Sequence, residues 1–310
     1  MTAHSARRRI SAAGAALVAG ALLLTACGDD GDSKPPVDKS APLYAKVPEK
    51  YQKAQVIKVG SDVAYPPNEY YDKDGKTIIG LDPDIGNAVS KQLGIKLKFQ
   101  NGKFDDLIVS MQSNRIDIIM SSMSDTKKRQ EGTDDTGKKA GPGVDFVDYF
   151  NAGTSILVQK GNPKGIKTLD DLCGQTIALQ KGTTQEDMAK AQQDKCAAAG
   201  KGKIEVLTFD KDTEAQLQVR QGRAVADLND FPVAIYNAET ANNGNDFEVV
   251  GDQIEAGPYG IALRKEDQQL RDVIKEAVDN IIKSGEYKQI LDARKLSAGA
   301  VTQAAVNGGS

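Results

Sequence analysis

The amino-acid sequence predicts an α/β protein made of two similar lobes. Segments typical of strands alternate with segments typical of helices along the chain, and this alternation indicates parallel sheets covered by helices. The order of these segments is the same in the two halves of the chain, which favours two lobes of one design. A length of 310 residues is enough for two domains or one large one.

The first half begins with an alternating strand, VIKVG at 56–60, followed by a loop that contains Pro66 and Pro67. A helix is predicted from 81 to 94, because Ile85, Val89 and Leu93 repeat every four residues and form one apolar face. The rest of this half is predicted as a strand at 95–100, a helix at 104–112 and a buried strand at 116–120.

The second half opens with two predicted strands, 144–149 and 154–159, and residues 151–153 between them form a candidate hinge. The alternating set that follows is a helix at 169–172, a strand at 176–179, a helix at 184–198, a strand at 204–209, a helix at 213–221 and a strand at 225–228. A strand at 257–263 and an amphipathic helix at 269–283 come later. Residues 299–310 are rich in alanine and glycine, and we expect them to be a disordered tail.

The N-terminal residues have the pattern of a bacterial lipoprotein signal peptide. Arginines at 7–9 precede an apolar run at 12–24, which is too short for a comfortable transmembrane helix. The following Leu-Thr-Ala-Cys resembles a lipobox, in which the chain is cut before the cysteine and the sulfur of that residue, Cys27, carries the lipid. We therefore expect a signal peptide at 1–26, a flexible tether at 27–43 and an extracytoplasmic protein anchored to the cell membrane.

The cysteine count follows from that expectation. If Cys27 carries a lipid, an even pair remains, Cys173 and Cys196, in an oxidising compartment. We predict a disulfide bond between them. The alternative is two buried free thiols.

Several kinds of site are excluded by composition. The only histidine is His4, within the expected signal peptide, so the mature chain has no Ser-His-Asp or Cys-His arrangement and no histidine ligand for a metal. No GxGxxG or Walker-type loop is present, and we expect neither cofactor nor metal. The net charge is −3 and becomes more negative without the N-terminal arginines, which argues against nucleic acid as a partner. Only carboxylate or lysine chemistry remains for catalysis.

The stretch IDIIMSSMSDTKKR, residues 116–129, concentrates the polar chemistry of the chain. A short apolar strand ends in hydroxyls, and three cations, the last of them Arg129, follow at what looks like the start of a helix. Unpaired N–H groups and the helix dipole favour an anion at this helix N-terminus, so the stretch is a candidate binding site for a carboxylate. Taken alone, the stretch is better explained by a capped helix with a solvated basic face.

Several short motifs, in one order over more than two hundred residues, resemble those of the family 3 extracellular solute-binding proteins, the polar amino-acid receptors of ABC importers. The matching segments are GSD at 60–62, YPP at 65–67, GLD at 80–82, the IDxxxSSxSxTxxR form at 116–129, KGTTQE at 181–186, Gly222-Arg223 ahead of Asp230, and LRKED at 263–267. The resemblance implies the type II periplasmic-binding-protein fold, two α/β lobes joined by hinge strands that close around a ligand.

The resemblance also implies roles for individual residues. Arg129 would bind the ligand α-carboxylate with help from Ser124 and Thr184, whereas Asp230 and Ser122 would bind the α-ammonium. Tyr65 would pack on the bound solute. Asp62 would contact the ligand side chain and favour a basic or amide group over an acidic one. The other expected ligand-site residues are Ser121, Gln180, which stands where an apolar residue is common, and Thr183, which with Glu186 also has the pattern of a capping box.

Together these observations predict a lipid-anchored, monomeric receptor that binds an amino acid and works with ABC permease subunits, not an enzyme. Lobe 1 is expected to comprise 44–152 and 252–298, and lobe 2 to comprise 153–251. Two alternatives stay open. The same fold can host a lyase of the cyclohexadienyl dehydratase kind, and a lipoprotein of this design can present its ligand to a signalling partner instead.

Overall fold

A computed structural model describes residues 36–134 and 136–310 of the chain. The expected signal peptide, Cys27 as the expected lipid site, and most of the expected tether lie outside the described residues. The last part of that tether does not behave as a free linker. Asp38 N donates to Gly94 O at 3.0 Å and Leu43, which is buried, donates from its N to Gln92 O at 2.9 Å. These residues therefore already pack on the first lobe.

Helices and strands alternate much as the sequence predicts. The helices are α1 (Glu49–Ala54), α2 (Leu81–Leu93), α3 (Leu107–Gln112), α4 (Lys127–Glu131), α5 (Thr184–Ala198), α6 (Asp212–Arg220), α7 (Phe231–Thr240), α8 (Gln268–Ser284) and α9 (Glu286–Arg294). The strands are β1 (Val56–Ser61), β2 (Ala64–Tyr65), β3 (Glu69–Tyr71), β4 (Ile78–Ile79), β5 (Lys96–Asn101), β6 (Ile118–Ile119), β7 (Val144–Gln159), β8 (Thr176–Gln180), β9 (Glu205–Phe209), β10 (Ala226–Asp230), β11 (Phe247–Arg264) and β12 (Ala305–Val306).

One sheet runs through both lobes in the order β5-β1-β6-β11-β7-β10-β8-β9. The first lobe is built around β1, β5 and β6, which pair in parallel, and the second around β8, β9 and β10, which also pair in parallel. The long strands β7 and β11 are antiparallel to each other and extend from one lobe into the other. They are the two connections that hold the lobes side by side.

The sequence predicts a break at residues 151–153, but the structure has one continuous 16-residue strand there. The irregularity lies in the partner strand instead. The β7–β11 register shifts between Val250 and Ile254, again between Ile254 and Gly257, and once more after Tyr259. Bulges of this kind let a strand bend without ending. The first part of β11 and the helices α7 and α9 had no counterpart in the sequence prediction.

The core of the first lobe is formed by α2 and α8 on the sheet. The predicted apolar face of α2, Ile85, Val89 and Leu93, is fully buried. The predicted apolar residues of α8 are buried in the same core: Leu270, Val273, Ile274, Ala277, Val278 and Ile281. Burying one such side chain contributes roughly 1.5–3 kcal/mol, so periodic faces of this size determine where both helices pack. Within the described residues, no helix is long and apolar enough to cross a membrane.

The predicted disulfide is present in the second lobe. Cys173 ends a short 3₁₀ turn at Leu169–Leu172, and Cys196 lies near the end of α5, with 5.6 Å between their Cα atoms. Cys196 is buried in the apolar core of that lobe. The bond therefore ties α5 to the segment that precedes β8.

The expectation of a disordered tail at 299–310 is wrong. Residues 305–306 form β12, which pairs antiparallel with β7 through the contacts Ala305 to Asp148 and Val306 to Val147. Ala304 is buried and its N donates to Asp279 Oδ1 at 2.9 Å. Small residues allow this close approach to the sheet, and composition alone cannot distinguish such a segment from a disordered one.

Candidate functional site

Four strand ends converge between the lobes. In the first lobe, β1 leads into Asp62 and β6 leads into Ser121; in the second, β8 ends at Gln180 and β10 ends at Asp230. Because parallel strands of one sheet finish at the same edge, each lobe presents its carboxyl-terminal edge to the other. This is the position where open α/β sheets bind ligands.

A cavity lies between these edges. It is lined by all ten residues that the sequence analysis assigned to a ligand site: Asp62, Tyr65, Ser121, Ser122, Ser124, Arg129, Gln180, Thr183, Thr184 and Asp230. It is also lined by Glu69, Phe104 and Gln185, which the sequence analysis did not assign. Gln185 belongs to the KGTTQE motif and Glu69 follows the YPP motif closely, so sequence offered a signal for these two; Phe104 looked like an ordinary helix start.

Arg129 is the cation of the cavity. Its Nη1 donates to Ser124 O at 2.8 Å in the same lobe, and its Nη2 donates to Gly182 O at 3.1 Å in the other lobe. The guanidinium lies 5.4 Å from the ring centroid of Phe104, a cation–π distance. Burial lowers the pKa of Arg129 to about 10, so the group is still charged at neutral pH. A desolvated guanidinium of this kind can bind a carboxylate through two parallel hydrogen bonds.

The start of α4 explains how Arg129 reaches that position. Thr126 caps the helix, and its Oγ1 accepts a hydrogen bond from Arg129 N at 3.3 Å. The predicted strand before it is shorter than expected, since only Ile118 and Ile119 pair with β1 and β11. The residues after the strand are therefore free to curve around the cavity. Lys128, next to Arg129, turns away and pairs with Asp187 of the second lobe at 2.9 Å.

Asp230 is the buried carboxyl of the second lobe. Its Oδ2 accepts from Tyr65 Oη at 3.0 Å and its Oδ1 accepts from Gln185 Nε2 at 2.8 Å. Burial raises the pKa of Asp230 to about 6, with its hydrogen-bond donors and Arg129 opposing that rise. At neutral pH it is mainly a carboxylate in a dry environment. Such a group favours a positively charged partner.

Asp62 is a second buried carboxyl, on the first lobe. Its Oδ2 accepts from Gln180 Nε2 across the cavity at 2.5 Å, and its backbone N donates to Ser121 Oγ at 2.9 Å. Gln180 Nε2 also donates to Asp210 O at 3.0 Å. Burial raises the pKa of Asp62 to about 6, and the bond from Gln180 limits the rise. Gln180, which stands where an apolar residue is common in the family, therefore has Asp62 as its hydrogen-bond partner.

Glu69 lies beneath the serines of the first lobe and is fully buried. Ser121 Oγ donates to its Oε1 and Ser122 Oγ donates to its Oε2, both at 3.1 Å. Asp82, close by, accepts from Ser122 N at 2.8 Å and from Tyr149 Oη at 2.5 Å. Burial and the neighbouring charge of Asp82 raise the pKa of Glu69 well above its usual value. These carboxyls fix both hydroxyls and bind a proton more tightly than exposed ones would.

The N-terminus of α5 forms another wall. Thr183 caps this helix, accepting from Glu186 N at 3.3 Å and donating its Oγ1 to Gln180 O at 2.7 Å. The predicted capping box is only half formed, because Glu186 Oε2 accepts from Gly182 N at 2.8 Å rather than from the capping residue. The helix end, with its unpaired N–H groups, still favours an anion on the cavity side.

Ion pairs join the lobes around the rim of the cavity. Each connects a residue of the first lobe with one of the second: Lys103 with Asp210 at 2.6 Å, Asp105 with Lys181 at 2.7 Å, and Lys128 with Asp187 at 2.9 Å. Together with the Arg129 and Gln180 contacts they hold the lobes closed over the cavity. In the parts of the chain that the structure describes, no group of three or more His, Cys, Asp or Glu residues is arranged to hold a metal ion.

The arrangement can hold a zwitterion. The cavity places one guanidinium near a helix N-terminus and, separately, the carboxyls of Asp62, Glu69 and Asp230. Since the carboxylates of Asp62 and Asp230 outnumber the one guanidinium among the lining residues, the balance favours a ligand with an additional positive charge. Opposite charges on facing walls also mean that one ligand would bridge both lobes.

Comparison with known proteins agrees with this geometry. The family model described as bacterial extracellular solute-binding proteins, family 3, matches residues 57–293. The arginine-binding protein ArgT of Corynebacterium glutamicum is 28% identical over 308 residues, which cover 97% of this chain and 96% of that protein.

Solved structures give the same picture. An ancestral arginine-binding protein bound to glutamine is 32% identical, with a TM-score of 0.67, and the match covers 78% of this chain and 98% of that one. An ancestral amino-acid-binding protein described as a precursor of cyclohexadienyl dehydratase is 33% identical, with a TM-score of 0.68, and the match covers 79% of this chain and 97% of that one.

Proposed function

The chain belongs to the bacterial extracellular solute-binding proteins, family 3, and from that membership we propose that it binds a basic L-amino acid between its lobes and delivers it to an ABC import permease. The fold class predicted from the sequence is confirmed: the chain has the two-lobed type II periplasmic-binding-protein fold of its solved neighbours, with β7 and β11 as the hinge strands. The observation that carries the proposal is that Arg129 lines one closed cavity together with the carboxyls of Asp62, in the same lobe, and Asp230, in the other lobe.

In this proposal the ligand's α-carboxylate pairs with Arg129. Ser124 and Thr184 line the same end of the cavity and supply hydroxyl donors, and the N-terminus of α5 adds its dipole. The contact from Arg129 to Gly182 O supports this placement, because it already directs the guanidinium towards the loop before α5.

The α-ammonium pairs with Asp230. Gln185 and Tyr65 hold that carboxylate in place when the lobes are closed, so closure around the ligand also orients the group that binds its ammonium. Ser122 is a suitable further acceptor, since its hydroxyl donates a hydrogen bond to Glu69 and its oxygen still has lone pairs that can accept one. The ring of Tyr65 covers the bound solute.

The ligand side chain extends towards Asp62. The carboxylate there attracts a guanidinium or ammonium group, and Gln180 adds an amide that can accept from or donate to the same group. Two names among the relatives support this assignment, since one is an arginine-binding protein and another is an arginine-binding protein bound to glutamine. A basic side chain satisfies the surplus of carboxyls better than an amide does.

The placement at the membrane rests on the sequence. We propose that residues 1–26 are removed, that Cys27 carries the lipid, and that the two lobes divide at about 152 and 252. Growth of cells that produce the Cys27→Ala variant, followed by fractionation, tests the anchor. Release of the variant from the membrane fraction is expected, and retention equal to the wild type would contradict it.

Calorimetry with a panel of amino acids tests the ligand. We expect a dissociation constant of about 1 μM or tighter, about −8 kcal/mol, for arginine, lysine or ornithine, weaker binding of glutamine, and none of glutamate. Mass spectrometry of the recovered ligand separates this from the lyase reading. An unchanged ligand supports a receptor, whereas turnover of a cyclohexadienyl substrate such as prephenate or arogenate would overturn it.

A further inference from the structure

The end of the chain lies against the segment that carries Arg129. We define the C-terminal strap as residues 304–309, which include β12 and run along the edge of β7. Asn307 fixes its course, because its side chain accepts from Phe146 N at 2.8 Å and donates to Asp145 Oδ1 at 3.1 Å. Beyond Asn307 the strap leaves the sheet and reaches the loop before α4.

The contact with that loop is made through Asp125. Gly309 N donates to Asp125 Oδ2 at 2.8 Å, and Gln130 Nε2 donates to Asp125 Oδ1 at 2.7 Å and to Gly309 O at 3.4 Å. Asp125 is only 3% exposed, so its carboxylate depends on these donors for solvation. Its own backbone N donates to Pro258 O at 2.8 Å, which holds the same residue against β11.

The strap fits closely enough to require glycine. A Cβ atom on Gly309 would lie 1.9 Å from Asp125 O, and one on Gly308 would lie 2.6 Å from Asp148 Oδ2. Gly308 N donates to that same Asp148 oxygen at 3.0 Å. Backbone amides of the strap therefore donate to two buried carboxyls of the first lobe, one on β7 and one in the loop before α4.

We propose that the C-terminal strap positions Arg129 for its ligand by holding the loop at Ser124 and Asp125. The proposal rests on the proposed function. The connection is short: Gly309 binds Asp125, the neighbouring Ser124 presents its carbonyl oxygen, and that oxygen accepts from Arg129 Nη1 at 2.8 Å. Without the strap, the Asp125 carboxylate keeps the bond from Gln130 but loses the one from Gly309, and the loop that orients the guanidinium loses its support on that side.

Two variants test the strap. Removal of residues 304–310 deletes it, and Gly309→Ala keeps the chain but forces the contact with Asp125 apart. Gly141→Ala is the matched control, because its Cβ would meet no atom within 4 Å, and Gln303→Ala changes an exposed residue just before the strap. We expect both strap variants to bind the amino acid about tenfold more weakly or worse, and the controls to bind like the wild type.

A double-mutant cycle with Arg129→Lys separates positioning from general damage. If the strap acts through the guanidinium, deleting it in the Arg129→Lys background should change affinity by less than about threefold. An equal loss in both backgrounds, or wild-type affinity in both strap variants, would overturn the proposal.

Hydrogen exchange of the ligand-free protein gives an answer that does not depend on the ligand. The strap variants should exchange faster in the amides of 124–130 while α8 and the second lobe keep their protection. If the wild type binds no amino acid but these amides lose protection, the proposed function fails and the structural role of the strap stands. Unchanged exchange at 124–130 would overturn the strap itself.

Discussion

Tyr65 and Asp230 are 165 residues apart in the sequence, yet Tyr65 Oη donates to Asp230 Oδ2 at 3.0 Å and accepts from Asp230 N at 2.9 Å. One hydroxyl therefore satisfies both a carboxylate and a backbone amide of the opposite lobe. The contact crosses the cavity and joins the lobes at the place where the ligand's ammonium is proposed to bind. Closure of the lobes and orientation of the Asp230 carboxylate are thus the same event.

Removing either Arg129 or Asp230, the two opposite charges of the cavity, should abolish tight binding. Arg129→Ala or Asp230→Ala should weaken amino-acid affinity by roughly 2–5 kcal/mol, because one ligand charge is left buried without a partner. Calorimetry measures the change. Arg115→Ala, which alters an exposed arginine outside the cavity, is the control and should bind normally. Wild-type affinity in either cavity variant would contradict the roles proposed for Arg129 and Asp230.

Asp62→Asn should shift the choice of ligand rather than abolish binding. The substitution removes the negative charge but keeps a side-chain oxygen that can accept from Gln180. We expect basic ligands to lose about tenfold in affinity relative to glutamine or glutamate. Competition calorimetry gives this ratio, and an unchanged ratio would show that Asp62 does not contact the ligand side chain.

Binding of a basic amino acid should release protons and weaken below about pH 6. Burial raises the pKa of Asp62 and of Asp230 to about 6 in the ligand-free protein, so protons compete with the ligand's positive groups at lower pH. A bound cation lowers both pKa values, because it stabilises the carboxylates. Calorimetry in two buffers of different ionisation enthalpy counts the protons, and binding independent of pH from about 5 to 7 would contradict this.

The ligand-free protein should become less stable as the pH rises from about 4 to 7. Burial raises the pKa of Asp82 to about 6 and those of Asp148 and Asp212 to about 7, against an ordinary value of 3.8. The native state therefore binds more protons than the unfolded chain in this range, and the free energy of unfolding decreases with pH. Carboxyls with lowered pKa values, such as that of Asp74, act in the opposite sense only below about pH 4.

Urea unfolding at several pH values without ligand measures this dependence. Saturating ligand should remove only the part of this dependence that comes from Asp62 and Asp230, because the bound cation stabilises the ionised forms of these two cavity carboxyls. An apo protein that gains stability steadily from about pH 4 to 7 would show that these carboxyls are not buried as described.

Reduction of the Cys173–Cys196 bond should destabilise the second lobe by roughly 3 kcal/mol, the chain-entropy value for a loop of this length. Neither sulfur lines the cavity, so the affinity of the reduced protein should be nearly unchanged at temperatures where it is folded. Intact mass before and after reduction checks the bond, which should add two hydrogens when broken. A large loss of affinity on reduction would instead connect the bond to the site.

The sequence was sufficient wherever the signal was local and periodic. The apolar face of α2, the alternation in β1 and the hydroxyl-rich run before Arg129 each reflect a repeat of 3.6 or 2 residues, or a motif within fourteen positions. Those signals predicted the α/β lobes and ten of the residues that line the cavity, but not Gln185, although it belongs to the KGTTQE motif. The motifs also predicted which cation of the three at 127–129 faces the cavity.

Only the tertiary structure decided what depends on contacts between distant residues. Glu69 lines the cavity because Ser121, in the loop after β6, donates a hydrogen bond to it on β3. The strap is ordered because its glycines fit against Asp125 and Asp148. Neither contact produces a periodic pattern in the sequence from which it could be predicted. The sequence thus determined the two lobes and the residues with charge, whereas the structure decided how those charges are held: Arg129 by carbonyl oxygens of both lobes, and Asp230 by a tyrosine of the other lobe. The physical reason is that a buried charge must be solvated by whatever donors and acceptors the folded chain brings to it.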